Sequence, residues 1–440
     1  MKFSHSCNQT NLFHFGNMGY KFPDDHELLK LGKEIPWDEL VEIVGKKYSS
    51  KKGRNSKSLR MMIALEIVKR KYGYNDEELV SKLQTDIAVM HFCGFDHLVN
   101  EKMDSSNMTK FRNRLDAETL ALIEEASIRE FIRKAPRRKI HQVITDSTCV
   151  EANITYPTDT KLLTKVFQKL SKVIEKGRGH GIKMIIRGKQ KVKKLVRAFH
   201  LKRKKSKKEI FKMRNFLIRE GNKIFKKAQV VIEKLKTLKE LGTEKYLAMI
   251  ETSQKILEQQ NELAKNKAIR IKGRMVSFHA PNIRPIFRGK DWKQTEFGQK
   301  IGVSVVGGGL MVSTKFSHEN FSDTTLCEAA IQKHEKIFGR KPSELIGDRG
   351  LHSPLNHEKL ETEKIRDGIQ WRGKIPKKAK LSNERTQRRM YQQRSAVEGK
   401  IGTVKMKYGG NKNIYKDANC KVLITFGLLA MNGDWAARQV

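Results

Sequence analysis

Ile140 to Val150 read IHQVITDSTCV. β-branched residues crowd this stretch, which suits a pleated, half-buried surface and predicts a strand. Upstream, from Ser58, apolar residues recur at helical spacing, and the period changes after Pro136. The chain is therefore expected to mix helices with a sheet rather than form a bundle. A single carboxylate, Asp146, interrupts the strand.

Upstream, Leu59, Met62, Ile63, Leu65, Ile67 and Val68 mark a first helix. Asn75 or Asp76 can cap a second, over 77–83, by accepting from its free N–H groups. Ser105 or Ser106 can cap a third bearing Phe111 and Leu115, and a fourth spans about 117–133. Residues 57–135 thus read as a small all-α domain with a basic side formed by Arg112, Arg114, Arg129 and Arg133. Residues 1–56 are polar and mixed, and no role is read from them.

Downstream, residues 161–270 read as helix with apolar residues at a 3–4 spacing, Leu162, Leu163, Val166, Leu170 and Val173 among them. This stretch holds 33 Lys+Arg against 9 Glu and no Asp, a net +24. Its most basic knot is Lys202–Lys208, KRKKSKK, with Lys202, Arg203, Lys204 and Lys205 at its head. Strand signals return at 301–306 and 310–316, split by Gly307-Gly308-Gly309, which predicts a hairpin. A helix at about 324–338, a strand at 343–346 ending in Gly347-Asp348-Arg349-Gly350, and a long last helix over 384–406 complete the pattern. The domain reading is 136–160 with 271–440 as an α/β core and 161–270 as a basic helical insertion.

The balance of charge narrows the partner. The chain has 440 residues, with 90 Lys+Arg against 48 Asp+Glu and a formal net charge of +42. Such an excess points to a polyanion, nucleic acid or an anionic membrane surface. Membrane insertion is not expected, because the longest apolar run, Val422 to Met431, is half of the roughly 20 residues a span needs. The N-terminus lacks an apolar signal segment. Five scattered cysteines with no CxxC read as thiols in a reducing cytoplasm. No GxxxxGK[ST] occurs and Gly177–Lys183 has the wrong spacing, so no nucleotide cofactor is expected.

In so basic a chain, carboxylates at strand ends stand out. Asp146 and Asp348 are both placed to offer oxygen to a hard cation, and magnesium takes one or two carboxylates plus substrate phosphates. Asp348, between glycines, reads equally as a turn residue. On the last helix Tyr391, Arg394, Glu398 and Lys405 fall, at about 100° per residue, in one arc about 60° wide. Val397, Ile401 and Val404 form the adjoining apolar stripe, and Gly402 on the arc would admit a close backbone. The same arc reads as an ordinary salt-bridged helix face.

Tyr391-x2-Arg394-x3-Glu398-x6-Lys405 resembles, at every interval, the tyrosine–arginine–glutamate–lysine signature of bacterial insertion-sequence transposases of the DDE type. Thr145-Asp146-Ser147-Thr148 with Tyr156-Pro157-Thr158-Asp159 resembles their first-aspartate region, and Ile346-Gly347-Asp348-Arg349-Gly350 their second. The stretch from Arg284-Pro285-Ile286 to Lys300 and the helices of 58–115 are also similar. The likeness covers most of 58–432 and is weak across 165–270.

The resemblance implies an RNase H-like mixed-sheet core with a long insertion and a small all-α domain before it, in which 57–135 serves DNA binding or dimerisation. It implies Asp146, Asp348 and Glu398 as catalytic metal ligands for two Mg²⁺ ions, with Mn²⁺ able to substitute. Two such ions about 3.5–4 Å apart suit an in-line phosphodiester displacement. Tyr391, Arg394 and Lys405 are then expected on DNA phosphates, and Lys202, Arg203, Lys204 and Lys205 on DNA more generally. The implied partner is double-stranded DNA, the element's terminal inverted repeats and its target, bound by a homodimer. The implied location is the bacterial cytoplasm, on the nucleoid when DNA-bound.

Two other functions fit the same residues: an RNase H-like nuclease without strand transfer, and a non-catalytic nucleic-acid-binding remnant. Among the lesser residues, Asp159 and Asp323 read as helix caps, with Asp159 and Glu151 also open as supports for the metal ligands. Glu296 is expected to pair with a cation and His141 to face a strand. Trp292, Trp371 and Trp435 read as packing residues, with Trp371 also open as a stacking platform for an unpaired base.

Overall fold

The computed structural model describes residues 25–49, 53, 55–96, 103–134, 140–238, 243–265, 271, 273–287, 295–373, 384–413 and 419–439. The chain divides into two compact units, 1–152 with 299–440, and 153–298. The seams therefore fall at 152/153 and 298/299, whereas the sequence pattern changed at 160/161 and 270/271.

The first unit opens with helices α1 (Glu27–Glu34), α2 (Trp37–Gly45), α3 (Leu59–Tyr72), α4 (Asp76–Thr85), α5 (Ile87–Phe92), α6 (Ser106–Arg112) and α7 (Ala117–Phe131). The first two lie in the segment from which nothing was read. They are amphipathic and bury Leu28, Leu31, Leu40 and Val44. Ser58 caps α3 by accepting from Met61 N–H, and Asn75 with Glu78 forms a capping box on α4. The predicted basic side is largely spent on internal pairs. Arg112 is buried and donates to Glu66 at 2.6 Å and to Asp76, while Arg129 pairs with Glu39 at 2.5 Å. A buried guanidinium needs such partners, because an unpaired charge there costs several kcal/mol.

The sheet of this unit uses β1 (Gln142–Ala152), most of β3 (Thr295–Val306), β4 (Leu310–Ser317), β5 (Glu344–Gly347), β6 (Arg366–Ile369) and β7 (Lys412–Asn413). β4 pairs with β3, and the order continues β3-β1-β5-β6, with β7 against the end of β1. The β3–β4 pair is antiparallel and β1, β5 and β6 run parallel, so the sheet is mixed. The predicted hairpin forms, and Gly307 and Gly308 both take positive φ, 60° and 72°. That conformation matches the tight turn to the twist of the strands.

Helices α12 (Leu326–Phe338), α13 (Pro354–Thr362), α14 (Glu384–Gln393), α15 (Ser395–Lys407) and α16 (Cys420–Ala437) complete the unit. The apolar run Val422 to Met431 lies in α16, which is a core helix. Leu423, Phe426 and Ala430 are fully buried, and Asn432 exchanges hydrogen bonds with the backbone of Met311 at 2.9 and 2.8 Å. Among the described residues no helix is long and apolar enough to cross a membrane. The N-terminal helices and the sheet share one hydrophobic core.

The second unit is built from α8 (Asp159–Gly179), α9 (Lys189–Leu201), α10 (Lys207–Thr237) and α11 (Thr243–Lys265), with β2 (Arg284–Phe287) paired to the first residues of β3. It has a core of its own, including Leu163, Val166, Leu170, Ile224, Val231 and Leu257. The apolar stripe read from the sequence is what α8, α10 and α11 bury against one another.

Candidate active site

The strand register builds the site. β1 and β5 lie side by side, with Ile144 opposite Ile346 and Thr145 opposite Gly347. One residue further along each strand stand Asp146 and Asp348. Asp146 is still on β1 and Asp348 lies just past the end of β5, so the register sets the two residues at neighbouring backbone positions.

Each aspartate is set by a short local bond. Asp146 is partly exposed, and its Oδ1 accepts from the N–H of Ser147 at 2.6 Å. Asp348 follows β5, and its Oδ1 accepts from the N–H of Gly350 at 2.7 Å. A Cβ on residue 350 would stand 2.8 Å from that oxygen, so the turn needs glycine there. The turn reading and the ligand reading of Asp348 are thus compatible, since one oxygen makes the turn and the other faces outward.

The outward oxygen meets Arg394. Arg394 Nη1 lies 3.9 Å from Asp348 Oδ2, and its Nη2 donates to Glu398 Oε1 at 2.5 Å. One guanidinium therefore spans the second aspartate and the glutamate. The expected single helix over 384–406 is broken at this residue. Arg394 N–H bonds to Tyr391 O at 3.2 Å and Val397 N–H to Arg394 O at 3.1 Å, three-residue closures that tighten the chain at the junction. The angular projection thus holds for Glu398 and Lys405 within α15, but does not carry back to Tyr391. Tyr391 is half-buried, and burial with the negative Asp367 nearby raises its phenol pKa against the opposing effect of Arg349. Glu398 is half exposed.

In this arrangement, among the described residues, no group of three or more His, Cys, Asp or Glu side chains is close enough to hold a metal ion. The donor chemistry nonetheless suits a hard divalent cation. Asp348 and Glu398 already share one cation, the Arg394 guanidinium, and all the donors are carboxylate oxygens.

The other expectations resolve one by one. Thr158, not Asp159, caps α8, and Asp159 instead binds Arg274 at 2.7 Å and accepts from Gln260 at 2.9 Å. Ser322, not Asp323, caps the turn before α12. Asp323 pairs with the buried Lys300 at 2.9 Å, and its Oδ2 lies 3.1 Å from the Cβ position of Gly350. It is thus a further acid beside Asp348, which the sequence pattern missed because twenty-five residues separate the two. His141 accepts from Arg340 Nε at 3.3 Å and packs edge-on against His334 and Phe338. Trp371 stacks on His357, centroids 3.8 Å apart and rings 9° from parallel, so one of its faces is taken. Trp435 packs against Gly309. Glu151 lies on β1 opposite Lys412, and Glu296 is buried in β3. Trp292 lies outside the described residues.

The basic knot belongs to the second unit, between α9 and α10. Lys202 is bound to Glu209, while Lys205 donates to the carbonyl of Lys202 at 2.5 Å and lies 5.4 Å over Phe199. Arg203 and Lys204 point to solvent.

Comparison with protein families gives two matches. A transposase domain (DUF772) matches residues 17–114, and a transposase DDE domain matches residues 275–432. The second stretch contains Asp348, Arg394 and Glu398, whereas Asp146 lies outside both. No curated protein and no solved structure gives a match. With these two domains in one chain, the protein is a DDE transposase of the insertion-sequence type, an enzyme of DNA transposition that cleaves and transfers DNA strands with divalent metal ions.

Proposed function

We propose that Asp146, Asp348 and Glu398 are the catalytic carboxylates of this transposase and hold two Mg²⁺ ions, for which Mn²⁺ can substitute. The carrying observation is the β1–β5 register, which sets Asp146 beside Asp348, joined to the Arg394 link from Asp348 to Glu398. The strand order β4-β3-β1-β5-β6 supports an RNase H-like core around them. Bound there, the ions would activate the attacking water or 3′-hydroxyl and stabilise the leaving oxygen.

The remaining roles belong to the chain's own cations. Arg394 holds the two carboxylates while no DNA is present and passes to a DNA phosphate when an element end docks, since its planar fork fits either anion. Lys405, on the same helix, contacts the backbone further along, and Tyr391 binds or stacks beside it. Residues 57–135 serve end binding or dimerisation, and a homodimer pairs the two terminal inverted repeats before joining them to target DNA. The region 161–270 grips DNA through Arg203 and Lys204, with Lys202 and Lys205 holding the knot's shape.

The test is single substitution. Asp146→Asn, Asp348→Asn and Glu398→Gln should each slow cleavage and joining about a thousandfold or more, because several kcal/mol of charge stabilisation are lost. DNA affinity should change little. A Glu398→Gln variant that cleaves element ends at the native rate would remove it from the site.

A further inference from the structure

The second unit contains a hollow of about 340 Å³ at the start of α8, unlike any feature of the carboxylate site. Its wall includes Tyr156, Lys161, Lys165, His200, Phe278 and His279. Among the described residues no carboxylate lines it. The nearest acid in sequence, Asp159, is committed to Arg274 and Gln260. Among the described residues, the Lys161 ammonium donates only to the carbonyl of Tyr156, at 3.4 Å.

Two lysines and two histidines thus stand together in its wall. His200 has its pKa lowered by burial and by Lys161 and Lys205, and His279 by burial and by Lys169 and Lys165. Lys169 itself is lowered by burial and by Lys165, Lys172 and Lys245. An anion in the hollow would favour the charged form of both imidazoles. Beside the cations stands a largely exposed aromatic ring. Tyr156 is 71% exposed and is fixed by an edge-on contact with Phe297 at 5.8 Å. Phe278, with Lys169 6.0 Å over its ring, closes part of the floor.

The exposed ring, with the size of the hollow, favours a single unpaired nucleotide over a duplex. A duplex keeps its bases stacked inside, whereas an unpaired base can lie on an exposed ring such as Tyr156, and a hollow of about 340 Å³ is at the small end of ligand pockets. We propose that this hollow takes one unpaired nucleotide of DNA, with its phosphate among Lys161, Lys165, His200 and His279 and its base on Tyr156. Aromatic stacking with a cationic surround is the usual chemistry for single strands. The inference rests on DNA as the partner and not on the carboxylate triad.

The experiment is binding by the full-length chain to a short single strand of thymidylates and to a duplex of equal length, across a salt series. Tyr156→Ala should weaken single-strand binding about tenfold and leave its salt slope and the duplex affinity nearly unchanged. Lys161→Gln with Lys165→Gln should lower the single-strand salt slope by about 0.7 for each phosphate that is no longer neutralised. Because a bound phosphate favours charged imidazoles, and both are lowered in the free protein, single-strand binding should tighten as pH falls below the ordinary histidine pKa of about 6.5. His200→Gln with His279→Gln should flatten that dependence. Unchanged single-strand affinity in both the tyrosine and the lysine variants would overturn the proposal. So would equal losses on duplex and single strand with Tyr156→Ala inert, which would make the hollow a plain site for the DNA backbone. All these readouts are of binding, so they stand or fall separately from the cleavage tests of the triad.

Discussion

Arg394 is the residue on which the site turns. It was singled out in the sequence as a cation for DNA phosphate, yet in the folded chain it faces two acids, 2.5 Å from Glu398 and 3.9 Å from Asp348. A guanidinium there competes with any divalent ion for the same oxygens. The pair is partly exposed, so the competition is modest, up to about 1 kcal/mol. Arg394→Gln should therefore tighten Mn²⁺ binding to the DNA-free protein by up to about fivefold, read by paramagnetic resonance of free Mn²⁺. The same variant should engage element ends less well. Weaker Mn²⁺ binding in Arg394→Gln would show that the arginine organises the carboxylates rather than shielding them. Asp323 bears on the same corner. Gly350→Ala would push a methyl against both Asp348 and Asp323, at 2.8 and 3.1 Å, so this one methyl should damage cleavage far more than it damages end binding.

Elements were legible where one period ran unbroken. The helix from Leu59, the strand around Asp146 and the triple-glycine hairpin all follow from local pattern, because each buries a face that the sequence repeats. Three features were not. The helices at Glu27–Glu34 and Trp37–Gly45 are short, so each offers only two or three buried residues to a pattern search. The break at Arg394 has neither Pro nor Gly to announce it. Arg112 reads as a surface cation because its partners Glu66 and Asp76 lie 46 and 36 residues away. Two tests belong at this scale. Gly402 has no neighbour within 4 Å of its Cβ position. Gly402→Ala should then stabilise α15 by up to about 1 kcal/mol in thermal melts, from helix propensity alone. If DNA backbone passes over that face, the stabilised variant should lose strand transfer, and full activity would mean that nothing approaches there. On α12, His334 is held neutral, with its pKa lowered to about 4 chiefly by burial. The unfolded chain then binds more protons than the native one between pH 6.5 and 4, so stability should fall as pH drops through that window. Replacing His334 by Gln should remove part of that slope.

At the scale of the whole molecule, charge and chemistry are divided between units. The proposed catalytic carboxylates belong to the first, Asp146 and Asp348 at the sheet and Glu398 on α15, while residues 161–270 of the second carry +24 of the +42. That share was plain from composition, but how much of it is available to DNA was not, because local pairing decides it. Of the four cations heading the knot, Lys202 is neutralised by Glu209 and Lys205 is folded onto the Lys202 carbonyl and Phe199. Arg203 and Lys204 are exposed and, among the described residues, carry no such bond, so they should dominate the displacement of counterions from duplex DNA. Each phosphate neutralised contributes about 0.9 to the slope of log affinity against log salt. Arg203→Gln with Lys204→Gln should then flatten the slope by about 2, and adding Lys202→Gln and Lys205→Gln should flatten it little more. The loss should be nearly equal on element ends and on unrelated duplex, since phosphate contacts carry no base information. A slope that falls by about 4 in the quadruple variant would mean that DNA draws Lys202 and Lys205 out of their internal bonds. In that event the Ser206 capping box, which shares Glu209 with Lys202, should hold α10 more weakly in the complex, and amide exchange at the first turn of α10 should quicken on binding DNA.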